Sequence, residues 1–117
     1  YGTGVYANED YGTASVRAMG NAVNQLKSIY SNRGEELTDD QAYLKLGATF
    51  SIGYESNLYP EFTSSMANTI VEDAKTHNYG LISFWSMGRD AKLEYNKGIK
   101  EQFEFTKILL KYESDVN

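Results

Sequence analysis

Two β-forming segments, "ATFSIGY" at residues 48–54 and "LISFW" at residues 81–85, stand on either side of one amphipathic helical pattern, and this constrains the chain more than any other feature. The first alternates in polarity as a strand does. The second is a continuous apolar run bounded by Gly80 and Gly88, the pattern of a strand buried on both faces. Between them Thr63 is placed to cap a helix whose buried stripe is Ala67, Ile70, Val71 and Ala74, and "THNYG" ends it. Strand, helix and strand joined by a crossover of about thirty residues predict parallel pairing, with helices covering the sheet.

The flanking segments supply those helices. Residues 1–11, "YGTGVYANEDY", show no helical period and read as a loop. From Thr13 to Ser31, Val16, Met19, Val23, Leu26 and Tyr30 recur at spacings of three and four, with Gly20 in mid-helix marking close packing at a propensity cost of up to about 1 kcal/mol. "LTDDQAYLKLG" reads as a short helix: Thr38 and Gln41 form a capping box, Asp39 and Asp40 suit the dipole, and Gly47 closes the end. "RDAKLEYNKG" reads as a loop, followed by a last helix from Ile99 to Tyr112 with Phe105, Ile108, Leu109 and Tyr112 on one side. Two parallel strands leave an open edge on each side. The expectation is therefore that another strand body precedes Tyr1.

Composition excludes several classes of function. The 117 residues are 41% hydrophobic and 23% charged, which permits one folded domain burying roughly 65% of its unfolded surface. The net charge is −5 and the 11 basic residues are dispersed, so no nucleic-acid partner is expected. With no cysteine, thiolate zinc sites, thiol catalysis and disulfides are excluded, and no apolar run approaches the roughly 20 residues of a membrane span. The excess lies in aromatics, with 10 Tyr, 5 Phe and 1 Trp. Such flat amphipathic side chains suit sugar or protein faces, and equally a tyrosine-rich proteome.

No free-standing catalytic site emerges from the residues. The carboxylate pairs Glu9-Asp10, Glu35-Glu36, Asp39-Asp40 and Glu72-Asp73 are adjacent in sequence, so on a helix their members diverge by about 100 degrees. Solvated faces and helix-start charges account for them. His77 is the only histidine and falls at a helix end, where its charge is favourable; no metal and no cofactor are expected. "GTGVYA" lacks the preceding strand that a dinucleotide fingerprint requires. Trp85 differs, because it ends a strand of a parallel sheet, where ligands bind in such folds. It is either a flat platform for a pyranose ring or a core residue.

Four segments in register carry a resemblance. "YGLISFWSMGRD" resembles the eighth strand of bacterial chitinases of glycoside hydrolase family 18, G-hydrophobic-S-hydrophobic-W-S-x-x-R-D. "AYLKLGATFSIG" resembles the seventh strand and its lead-in, "GIKEQFEFTKILLKYE" the closing helix, and the opening "YG" the end of the sixth strand. The resemblance implies an α/β fold: the C-terminal third of a (β/α)8 TIM barrel, with residues 1–117 a single segment holding strands seven and eight and their helices. It also implies an extracellular, secreted bacterial protein acting on chitin or another N-acetylglucosamine glycan, with the N-terminal part of the barrel as its other partner.

The same resemblance implies the site. Trp85 would floor the sugar at the cleavage point and Tyr1 would line the cleft. Glu55 would stand in for the Asn-Asp pair that relatives carry after "IG", where this chain has Tyr54, Glu55 and Ser56. The family hydrolyses by substrate assistance, with the N-acetyl group as nucleophile and a glutamic acid as proton donor, a departure from the two-carboxylate scheme. That acid belongs to D-x-x-D-x-D-x-E, which does not occur in these 117 residues, so no catalytic residue is expected here and the chain alone should be inactive. The alternatives are a non-catalytic carbohydrate-binding chitinase-like protein and a small α/β interaction module. Arg89-Asp90 reads as an ion pair closing the strand end.

Overall fold

A computed structural model describes residues 8–56, 59–92 and 97–116. Helix α1 (Tyr11–Ser31) begins two residues before the apolar period does, because Asp10 caps it: Oδ1 accepts the Thr13 amide at 3.0 Å. Tyr11 is therefore helical and buried. The close-packed glycine is Gly12, where a Cβ would lie 3.0 Å from the Met66 backbone. Gly20 is not close-packed, since a Cβ there would meet nothing within 4 Å.

Helix α2 (Asp39–Leu44) has the expected capping box, with Gln41 N–H donating to Thr38 Oγ1 at 3.2 Å and Thr38 N–H to Gln41 Oε1 at 2.9 Å. Gly47 does not close this helix. The amides of Lys45 and Leu46 satisfy the carbonyls of Ala42 and Tyr43 without a left-handed residue. Gly47 instead opens β1 (Gly47–Ser51), where a Cβ would lie 2.9 Å from Leu81.

Strand β2 (Leu81–Trp85) pairs with β1 in parallel, from Gly47 opposite Leu81 to Ser51 opposite Trp85. Helix α3 (Ser64–His77) makes the crossover, capped by Thr63 and ended by Asn78 in the left-handed region at φ 57°. Its stripe is the expected one: Ala67, Ile70, Val71 and Ala74 are all buried.

β2 is not buried on both faces. Phe50 and Ile52 point with Ile82 and Phe84 into the core, where Phe50 stacks on Phe62 at 4.8 Å. On the opposite face Thr49 and Ser83 share a 2.6 Å hydrogen bond, and Leu81 and Trp85 are 60% and 64% exposed. Among the described residues, helices cover one face of the sheet; an apolar run in sequence does not say how many faces are covered. Among the described residues, each strand also keeps one edge that no strand pairs.

A short helix α4 (Met87–Asp90), whose Arg89 and Asp90 read from the sequence as the start of a loop, follows β2 directly and is capped by Ser86. Helix α5 (Glu104–Val116) starts later than Ile99, which is buried in the preceding loop. Helices α1 and α5 flank α3, and Tyr11, Phe62, Ile70, Val71 and Phe105 belong to the core beneath the sheet.

Candidate functional site

The C-terminal ends of the two strands are locked together by backbone, with the Ile52 amide donating to the Trp85 carbonyl at 3.0 Å. The Trp85–Ser86 peptide bond is cis. The Trp85 ring stands at this end and is 64% exposed, so the platform and core readings separate: the side chain is not core within this chain.

After Ser51 the chain turns away through an antiparallel bridge, Gly53 with Phe62, at 2.9 and 2.8 Å. Gly53 (φ 69°) and Gly98 (φ 89°) make this turn possible: a Cβ on Gly98 would come within 2.6 Å of the Tyr54 nitrogen. The turn presents Glu55 beside Arg89 of α4. Arg89 Nη1 donates to Glu55 Oε2, Ser51 Oγ and the Ile52 carbonyl, each at 2.9 Å. Ser51 Oγ also donates to Glu55 Oε2, and these two hydrogen bonds, led by that from Ser51, hold the Glu55 carboxyl below its ordinary pKa.

A hollow of about 130 Å³ opens beside the pair, lined by Tyr11, Ser51, Glu55, Tyr59, Pro60 and Phe62. Burial, followed by the neighbouring Tyr59, raises the Tyr11 hydroxyl pKa, so it stays protonated at neutral pH. An ionised acceptor, the exposed Tyr59 phenol and an exposed indole on the adjoining strand end form a surface suited to a polar ligand with flat apolar faces.

Two of the three sequence-predicted site residues thus share this end: Trp85 faces Ser51 across the sheet, and Ser51 holds Glu55. Tyr1 lies outside the described residues. Tyr11, Tyr59 and Arg89 were not anticipated at the site, and nothing local marks them, since Arg89 reaches a residue 34 positions away. The expected Arg89-Asp90 ion pair is not formed. Arg89 turns to the strand end, whereas Asp90 is fully buried and accepts the amides of Phe105 and Thr106 at 2.9 Å each and the Thr106 hydroxyl at 2.5 Å.

His77 belongs to another cluster, stacked on Tyr43 at 4.3 Å with Nε2 3.6 Å from Asp73. The carboxylate pairs have structural partners: Asp10 caps α1, Glu36 accepts from Ser31, and Asp39 meets Lys27 at 2.6 Å.

A parallel β-α-β unit with an exposed aromatic ring where its strands end is a ligand-binding arrangement of α/β folds. Comparison with known proteins narrows the class. No family model matches the chain. It is 28% identical over 80 residues, 68% of its length, to the probable bifunctional chitinase/lysozyme of Escherichia coli (strain K12), of which it spans 8%. Among solved structures it superposes with a TM-score of 0.77 and 23% identity on active domain 2 of the thermostable chitinase of Pyrococcus furiosus, a catalytic-site mutant complexed with chito-oligosaccharides. That match covers 91% of this chain and 36% of the other. The catalytic domain of the hyperthermophilic chitinase from the same organism gives 0.76 and 24%, covering 89% and 35%. The chain is therefore a small α/β unit with two parallel strands matching about a third of a chitinase catalytic domain, and the resemblance to chitinases read from its sequence holds in three dimensions.

Proposed function

We propose that this chain is the C-terminal third of a family-18-like (β/α)8 barrel, supplying strands seven and eight and the Trp85 floor of a cleft for chitin or a related N-acetylglucosamine glycan. The observation that carries the proposal is the superposition of 91% of the chain on a chitinase domain, with a 64% exposed Trp85 at the C-terminal end of a parallel strand. The open sheet edges support the barrel reading. An apolar hollow of about 310 Å³ lined by α1 and β1, including Ala18, Leu46 and Phe50, lies on one side. Another of about 300 Å³, lined by β2, α4 and α5 through Leu81, Phe84, Met87 and Leu110, lies on the other. Adjacent barrel staves would cover both. The polar strand face, Thr49, Ser51 and Ser83, would then point into the barrel.

The general acid would come from outside these 117 residues, which hold no D-x-x-D-x-D-x-E. Extracellular action on a polymeric glycan belongs to the same proposal. Titrating chito-oligosaccharides into the protein while following the emission of its only tryptophan and the release of reducing ends tests it. The expected result is a change in Trp85 emission without hydrolysis. Clear turnover would overturn the assignment of the acid to another part of the barrel, and an unperturbed indole at millimolar sugar would overturn the platform.

A further inference from the structure

The Glu55 carboxylate is anchored by one oxygen. Oε2 accepts from Arg89 and Ser51, while Oε1 accepts no hydrogen bond among the described residues, and the side chain is 49% exposed. Arg89 is the opposite kind of group: its side chain is 16% exposed and one nitrogen serves three acceptors. Its backbone is fixed too, because the Arg89 amide donates to Ser86 Oγ at 3.3 Å and Ser86 follows Trp85 directly. The contacts close into a ring: Trp85 to Ser86, Ser86 to Arg89, Arg89 to Glu55 and Ser51, and Ile52 back to the Trp85 carbonyl.

An arginine used only to tie two segments together would be satisfied by the Ile52 carbonyl and Ser51. The added carboxylate, held by one oxygen at a half-exposed position, goes beyond that need. Charge-assisted hydrogen bonds are the strong ones and fix orientation as well as distance. We propose that Arg89 is a positioning residue that sets the Glu55 carboxylate beside the Trp85 platform, so that Oε1 accepts a hydroxyl or amide N–H from a sugar lying on the ring. This rests on the glycan reading above for the identity of the ligand; the orientation of Glu55 by Arg89 does not depend on it.

The test has a ligand-free arm and a glycan arm. In the free protein, the Glu55 side-chain carboxyl is followed through an acid titration by carbon-13 NMR in the wild type, Arg89→Gln and Arg89→Lys. The groups that face it are Ser51 from β1, Arg89 from α4, and Tyr11 and Tyr59 across the hollow. The midpoint should rise towards the ordinary value in Arg89→Gln and partly recover in Arg89→Lys. A midpoint unmoved in Arg89→Gln overturns the positioning role.

In the glycan arm, Glu55→Ala and Arg89→Gln should each weaken chito-oligosaccharide binding by about tenfold, the scale of a hydrogen bond to a charged group. The double variant should lose no more than either single one, because the two substitutions remove one contact. Losses that multiply would show two independent effects and overturn the proposal. A wild-type protein that binds no chito-oligosaccharide overturns the glycan reading, and the ligand-free midpoint then decides Arg89 alone.

Discussion

The buried carboxylate of Asp90 accepts the backbone amide of Phe105 at 2.9 Å, so a residue of α4 caps a helix that begins 14 positions later. Its second oxygen takes the Thr106 amide and hydroxyl, and the Phe103 amide donates to the Asp90 carbonyl at 2.7 Å. First-turn amides have no partner within their own helix. Asp90→Ala would strand them in a dry site at a cost of about 2–3 kcal/mol, while Asp90→Asn keeps one acceptor and should cost less. Hydrogen exchange at Phe105 and Thr106 should accelerate about a hundredfold in the alanine variant, a factor that 2–3 kcal/mol predicts.

Gly80 and Gly20 should respond to alanine in opposite senses. A Cβ on Gly80 would come 2.2 Å from the Leu44 carbonyl oxygen, a backbone atom with no rotamer in which to retreat. Gly80→Ala should cost about 3 kcal/mol and part α2 from the start of β2. Gly20→Ala, with open space around it, should stabilise α1 by up to about 1 kcal/mol. Urea titrations followed by circular dichroism would show the two shifts, and a destabilising Gly20→Ala would be incompatible with the packing described.

Tyr79 should make the fold sensitive to alkali. Burial, followed by its 2.5 Å hydrogen bond to Asp73, raises its hydroxyl well above the ordinary tyrosine value. The unfolded chain therefore releases this proton first, at a pH near 10. The contribution is fully present below that pH and is lost as pH rises beyond it. Tyr79→Phe should remove about 1 kcal/mol at neutral pH and flatten the alkaline loss of stability. Tyrosinate absorbance in the intact protein should also show Tyr79 ionising last; early ionisation would contradict its burial.

Trp85 should matter for binding without being required for the fold. At 64% exposure its truncation removes only a minor share of a tryptophan's area from burial, so Trp85→Ala should destabilise by no more than about 2 kcal/mol. The same change should weaken chito-oligosaccharide binding by about tenfold, the scale of one lost aromatic contact. A variant that loses its fold instead would return Trp85 to the core.

Local chemistry is readable along this chain. The Thr38–Gln41 capping box and the cap at Thr63 depend on residues three apart, and the Ala67–Ala74 stripe repeats within one helix. The parallel pairing of β1 and β2 follows from the same local signals, because only a crossover can join them. Segment patterns also sufficed to suggest a chitinase, which the superposition bears out at the level of the fold.

What tertiary structure alone decided was where neighbouring charges go and which surfaces are covered. Arg89 and Asp90 are adjacent in sequence, yet one reaches back 34 residues to Glu55 and the other forward 15 to Phe105, because a helical turn sends consecutive side chains about 100 degrees apart. The apolar run "LISFW" could not reveal that, among the described residues, only one of its faces is covered, nor could a mid-helix glycine reveal that Gly12, and not Gly20, meets α3. Sequence determined the elements through contacts a few residues apart. The position of Glu55 beside the strand end and the exposure of Trp85 depended on contacts between distant segments, which exist only once the chain has closed upon itself.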